Sequence, residues 1–324
     1  MWKRLAAAAL LMILGSANGS ALAAPAGSDP GPDVDARVYI FRGDLGIFFS
    51  TGMDYLAAEL NQHGLTAGVY PWENWKTLAD DAIAFYRAHP GRARIMLAGH
   101  SRGGDGLVAM AWRLHDAHVP VALAVAIDPT RVVGKIPPNV ERFINLYQSN
   151  NMLGGGAAQP TRAFHGTYAT VNLAERIEMT HVTIDKAPAL HQAIIPKFIE
   201  AAHYHSPPPG SRIGIEYRVP AGAPIEVWDS GMQVSAGPED TADTVGRRYG
   251  VPAWVVAQLN KVSAEEHIAA GRSLIVPRMA YAPGTGTGDP ALADAFVSVL
   301  LSGIKPDPAP LPEGVTEVSE KTEP

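Results

Sequence analysis

Ser101 stands at the centre of Gly99-His100-Ser101-Arg102-Gly103, the spacing a nucleophilic hydroxyl needs if it is to project from a sharp strand-to-helix turn. A serine hydroxyl attacks poorly until a base removes its proton, and that base must itself be oriented by a third group. His181 is the candidate base: it falls in a turn before a late helix, with Val182, Thr183 and Ile184 on its C-terminal side. Asp128 is the candidate acid because it ends the apolar run from Val119 to Ile127, and strand ends of a parallel sheet converge over the ligand crevice. Asp185 reads as solvent-facing or as a cap on the following helix, and Asp105 lies too close to Ser101 along its own helix. A tetrahedral oxyanion would need preorganised donors. The backbone N–H groups of Arg102 and of Asp44, in Gly43-Asp44-Leu45, are the candidates. The chemistry these types and spacings imply is acyl transfer through a serine.

The elements that must position these groups follow from periodicity. Arg94 to Ala98 is an apolar run of strand length, and Leu107 to Leu114 carries helical spacing, so Ser101 sits between a strand and a helix. Residues 36–41, 66–70, 119–127 and 143–147 also read as strands; 51–63, 75–88 and 188–202 read as helices. Short helical crossovers between apolar strands predict a parallel α/β sheet sandwiched by helices. The run from Asn150 to Gly166, with Gly154-Gly155-Gly156 at its centre, reads as a long loop.

Residues 1–23 have the pattern of a signal peptide: Lys3-Arg4, an apolar stretch from Leu5 to Leu14, and the small-residue site Ala21-Leu22-Ala23. Periplasmic or secreted localisation is the expectation, with no transmembrane anchor after cleavage, since no later apolar stretch is long enough to span a bilayer. The chain has no cysteine, which excludes disulfides. With 26 basic against 32 acidic residues and no basic run, a nucleic-acid partner has no electrostatic support. No metal or other cofactor is called for: His203 and His205 have no further ligand nearby.

The organisation expected is a first domain over residues 36–202, a Pro-rich linker over 203–212, a β-hairpin within 213–231, a small α+β unit over 232–277, and a tail over 281–324 with one short helix from Leu292 to Leu301. In the small unit, Asp240 to Tyr249 and Pro252 to Leu259 read as helices and Ser273 to Val276 as a strand, a βααβ order. All the candidate catalytic groups precede His203. Residues 24–205 are therefore expected to act alone on a small soluble ester.

Residues 36–202 resemble an α/β-hydrolase domain of the esterase and lipase type, in a short, cutinase-like form without an inserted lid domain. Gly99-His100-Ser101-Arg102-Gly103 matches the family's nucleophile elbow, and Arg42-Gly43-Asp44-Leu45-Gly46 occupies the place of its His-Gly-x-x-Gly oxyanion loop, with Arg42 where the family has histidine. Asp128-Pro129 is similar to the Asp-Pro that some lipases of the superfamily use as acid. Residues 232–277 resemble a LysM domain, on Asp240-Thr241, Val245, Tyr249-Gly250-Val251, Leu259-Asn260, Ile268, Gly271 and Leu274-Ile275-Val276-Pro277. That resemblance implies a ligand polymer containing N-acetylglucosamine, such as peptidoglycan, with glycan contacts near Thr241 and Asn260. Together the resemblances imply an exported serine esterase held near envelope glycan. Two other readings share these features: a non-catalytic glycan-binding envelope protein on a hydrolase-like scaffold, and an amidase or thioesterase of the same fold.

Overall fold

The computed structural model describes residues 35–203 and 213–279. The leader 1–23, the linker beyond His203 and the tail 281–324 lie outside the described residues. No helix among the described residues is long and apolar enough to cross a membrane.

Seven strands form one sheet in the order β2-β1-β3-β4-β5-β6-β7, every neighbouring pair parallel: β1 Asp35–Arg42, β2 Thr66–Pro71, β3 Ala93–His100, β4 Leu123–Ile127, β5 Arg142–Tyr147, β6 Thr167–Asn172 and β7 Ile215–Arg218. Period-two alternation sorts the core residues. On β1 and β3, Val38, Ile40, Met96 and Ala98 enter one apolar layer, while Tyr39, Phe41, Ile95 and Leu97 enter the other. The first layer is closed by Met53, Leu56 and Leu60 of α2 (Gly52–Gln62) and by Ile194 and Phe198 of α5 (Pro188–His203). The second is closed by Ala79, Ala82 and Phe85 of α3 (Trp75–Ala88) and by Leu107, Met110 and Leu114 of α4 (Arg102–Asp116). A one-turn helix, α1 (Gly46–Phe49), lies between β1 and α2; the sequence reading had no element there.

Beyond the linker the structure departs from the expected partition. Ile215–Arg218 is not half of a hairpin: it joins β6 in parallel and completes the sheet, so the sheet does not end at residue 202. The reason is the buried-exposed alternation of Ile215, Glu216, Tyr217 and Arg218, which suits a sheet edge as well as a hairpin. Residues 225–228 form no strand, although Ile225, Val227 and Trp228 are buried in the first apolar layer.

The small unit has the expected βααβ order, in β8 (Ser230–Ser235), α6 (Ala242–Tyr249), α7 (Ala253–Asn260) and β9 (Ser273–Arg278), with β8 and β9 antiparallel. Val245, Val256, Ile268, Leu274 and Val276 make its own core. α7 serves two cores, because Val255, one residue from Val256, packs into the layer of the large sheet. Tyr249, at the end of α6, is exposed. Gln258 of α7 satisfies the edge of β7 twice, accepting from the Arg218 N–H at 2.9 Å and donating to the Arg218 carbonyl at 2.9 Å. A buried ionic group completes the join: Asp229 accepts from Arg142 of β5 and, at 3.1 Å, from Lys197 of α5, and Arg142 also donates to Glu200 at 3.0 Å.

Candidate active site

The chain reverses direction across the sheet after β2, so β1 and β3 are neighbours whose following loops leave on opposite faces. Such a switch point opens a crevice at the carboxyl ends of the strands. Ser101 stands there, directly after β3, with φ 56° and ψ −128°, a conformation that L-residues avoid and that lifts the side chain out of the strand-to-helix turn. Its N–H is held by the Ile127 carbonyl at 3.0 Å. A β-carbon at Gly99 would collide with the Gly103 carbonyl, which is the steric reason for the glycine spacing.

The three residues expected to act together meet. His181 Nε2 lies 2.9 Å from Ser101 Oγ, and His181 Nδ1 lies 2.7 Å from Asp128 Oδ2. With a carboxylate on Nδ1, that nitrogen carries the proton and Nε2 is left to accept from the serine hydroxyl. Asp128 is fully buried at the end of β4, in a positive-φ turn. Its second oxygen accepts from the backbone N–H groups of Gln148 at 3.0 Å and Gly155 at 2.8 Å, while Asn151 donates to Oδ2 at 2.8 Å. Four donors hold one carboxylate, so its orientation toward His181 is over-determined.

Several of these contacts escaped the sequence reading. The glycine-rich loop is a strap across the acid and base: a β-carbon at Gly154 would press on the Asp128 carboxylate and come within 2.6 Å of His181 Nδ1. The Gly154-Gly155-Gly156 run was the available signal. His100 lies inside the motif, yet its type alone did not reveal its partners. Its Nδ1 is 2.8 Å from Ser50 Oγ, and its Nε2 is 2.8 Å from the His181 carbonyl. That carbonyl only accepts, so Nε2 donates and Nδ1 accepts the Ser50 hydroxyl proton. Burial holds the His100 pKa below its ordinary value, with Asp185 opposing and His181 reinforcing the shift. Ser50 Oγ accepts in turn from the Gly43 N–H at 3.1 Å.

Gly43 packs against the nucleophile, since a β-carbon there would lie 3.1 Å from Ser101 Oγ. Asp44 follows it, and the N–H groups of Asp44 and Arg102 have no hydrogen-bond partner among the described residues. Their side chains meet across the mouth. Asp44 accepts from Trp72 Nε1 at 2.8 Å and lies 3.6 Å from Arg102 Nε, and the Arg102 guanidinium sits 4.4 Å from the Trp72 ring centroid. Arg42 pairs with Asp54 of α2. Asp185 neither faces solvent nor caps α5: it is buried and accepts from the Gly52 N–H at the start of α2 at 2.9 Å. Asp105 takes the Thr130 hydroxyl.

The two residues expected to touch glycan spend their side chains internally. Thr241 caps α6, accepting from the Thr244 N–H at 3.2 Å, and Asn260 exchanges hydrogen bonds with the Ile275 backbone, both at 2.7 Å. Among the described residues no cluster of acidic or histidine side chains could hold a metal ion.

No protein-family model and no curated protein sequence matches this chain. Its structure is similar to a solved structure from Xanthomonas campestris pv. campestris, described provisionally as a hydrolase of the alpha/beta superfamily. The match has 15% identity and a TM-score of 0.31, covering 51% of this chain and 96% of that one.

Proposed function

We propose that this chain is a serine hydrolase of the α/β-hydrolase type that cleaves a carboxylic ester through an acyl-enzyme. The observation that carries the reading is the unbroken line from Asp128 through His181 to Ser101 at hydrogen-bond distances, beside two backbone donors, Arg102 and Asp44, without a partner among the described residues. In this mechanism His181 Nε2 takes the Ser101 proton as Oγ attacks the ester carbonyl, and Asp128 holds the imidazolium. The carbonyl oxygen, now negative, is received by the N–H groups of Arg102 and Asp44, the former at a helix N-terminus whose field favours negative charge. His181 returns the proton to the leaving alkoxide. A water molecule, deprotonated by the same imidazole, then hydrolyses the acyl-enzyme and restores Ser101.

The leader pattern supports export to the periplasm or beyond. The βααβ order, with Thr241 and Thr244 forming a capping box at the start of α6, supports a LysM-like unit that brings the enzyme to a glycan such as peptidoglycan. Because the Thr241 and Asn260 side chains are engaged internally, loop backbone atoms rather than those side chains would make the glycan contacts.

A fluorophosphonate probe tests the catalytic reading. The mature protein is expected to be labelled at Ser101 and to hydrolyse a short-chain aryl ester, and Ser101→Ala to do neither. Labelling at another serine, or none in a folded protein, would remove the assignment.

A further inference from the structure

Asp44 and Arg102 are the two residues whose backbone N–H groups stand beside Ser101 without a partner among the described residues, and the same two residues pair their side chains. Arg102 Nε lies 3.6 Å from Asp44 Oδ2, with the two side chains 45% and 60% exposed. Trp72, from the turn after β2, holds both of them. Its Nε1 donates to Asp44 Oδ1 at 2.8 Å, and the Arg102 guanidinium sits 4.4 Å from its ring centroid. Trp72 is itself seated against α4, where a β-carbon at Gly106 would come within 3.1 Å of its carbonyl oxygen. A half-exposed ion pair contributes little to stability, so folding does not account for three side chains fixed on one another at the mouth.

A carboxylate in this place opposes the proposed chemistry. On the serine-hydrolase reading, negative charge develops on the oxygen that the Asp44 and Arg102 N–H groups receive. Each charged side chain belongs to a residue whose N–H makes that contact, which puts both charges about 5–7 Å from the oxygen by covalent reach. Left alone, the Asp44 carboxylate would slow the reaction by about threefold with the dielectric of water, and by about a hundredfold at the lower effective value of a protein surface. Arg102 supplies the opposite charge at a similar range. Asp105, the next acidic residue of α4, turns its carboxylate to the Thr130 hydroxyl at 2.9 and 3.0 Å, so Asp44 is the carboxylate that Arg102 pairs with.

We propose that the Arg102 side chain acts through Asp44: it cancels the field of a carboxylate that the oxyanion loop carries, and Trp72 holds the two charges where they cancel. The Arg102 side chain is thus a positioning group, separate from the backbone donor of the same residue. The inference deepens the serine-hydrolase reading and rests on it. It assigns each side chain a sign. Removing the positive partner leaves the oxyanion facing Asp44, while removing the negative partner leaves it facing Arg102. A pair kept for structure alone has no such asymmetry, because losing either partner loosens the same mouth.

The experiment measures kcat and KM of the full-length protein on a neutral short-chain aryl ester, each variant against wild type at the same salt. Arg102→Gln should lower kcat by about tenfold at low salt with KM little changed, and by about threefold or less at about 1 M salt, where exposed charges are screened within about 3 Å. Asp44→Asn, which keeps an acceptor for Trp72 Nε1, should raise kcat by about two- to threefold. Adding Asp44→Asn to Arg102→Gln should recover most of the loss. Each variant should unfold close to the urea concentration of wild type, since the pair is half-exposed. A slower Asp44→Asn enzyme, a double variant as slow as Arg102→Gln, or a loss in Arg102→Gln that salt does not relieve would overturn the proposal. If Arg102→Gln did not fold, the sign of the Asp44→Asn effect alone would decide it. A wild-type protein with neither fluorophosphonate label nor ester turnover would fail the catalytic reading and this inference with it. Labelled, active wild type beside an equally active Arg102→Gln would fail the inference alone.

Discussion

Replacing Ser50 by alanine probes how the proposed oxyanion loop at Gly43-Asp44 and the proposed base, His181, are held in register. Ser50 is buried, and its hydroxyl does two things: it accepts from the Gly43 N–H at 3.1 Å and donates to His100 Nδ1 at 2.8 Å. Alanine leaves both partners buried and unsatisfied, at about 1–3 kcal/mol each, for a total of about 2–6 kcal/mol. Against a domain stability of about 5–15 kcal/mol, the variant should remain folded in the absence of urea over most of that range. The catalytic effect differs in kind. The Gly43 anchor fixes the residue before Asp44, whose N–H, on the proposed mechanism, is called on only when the carbonyl oxygen becomes negative. Its displacement should therefore lower kcat by about 10- to 100-fold, bounded by the loss of a whole oxyanion donor, and leave KM nearly unchanged. Urea titration with steady-state kinetics on a soluble aryl ester reads both quantities. A stability loss of the worked size with kcat within twofold of wild type would refute the positioning role. His100 adds a pH signature. Its folded pKa is depressed by burial, so the unfolded chain binds the proton more readily. The stability this histidine contributes is present above its unfolded value of about 6.5 and lost as pH falls below it. His100→Gln should remove that acid-side loss.

Gly154→Ala should lower kcat by about 100-fold while shifting the urea midpoint little, because its β-carbon meets the Asp128 carboxylate and the His181 ring rather than the core; the measurement is kcat on the same ester. Asp229→Ala should cost about 3–5 kcal/mol in urea unfolding, since it withdraws the carboxylate shared by two buried cations, Arg142 and Lys197. A chain ended after His203 loses β7 and Asp229 together, and is expected to be insoluble or unfolded by circular dichroism rather than an active esterase.

The central site was legible because its requirements are local. The Gly99-to-Gly103 spacing, the apolar strand before it and the helix after it all come from one stretch of chain, and Asp128 announces itself as the polar end of a buried run. His181 could be reached by topology, from its place before the last helix. The supports were hidden for a different reason. Nothing in the sequence says that Ser50 and His100 share a hydrogen bond, because the fold brings them together across 50 residues. Asn151 and Gly155 meet Asp128 in the same way. Asp185 was misplaced since a carboxylate before a helix usually caps that helix, whereas this one reaches the first N–H of α2 instead. β7 was misread because alternation reports which side chains are buried and not which strand is the neighbour.

The position of β7 changes what a second unit can mean in this chain. A flexible linker would make the βααβ unit a tether, free to bind a polymer while the catalyst searches nearby. The structure instead threads the chain through the large sheet before the small unit begins, seats Val255 of α7 in the sheet's core, and closes the join with a buried charge group. Adjacent residues of one helix, Val255 and Val256, belong to the two cores, so α7 cannot move relative to the sheet without emptying one of them. Any glycan held by the small unit is therefore held at a fixed distance and direction from Ser101. Its contribution to catalysis would be selection of which substrate positions can reach the nucleophile, a geometric filter rather than a gain in local concentration alone.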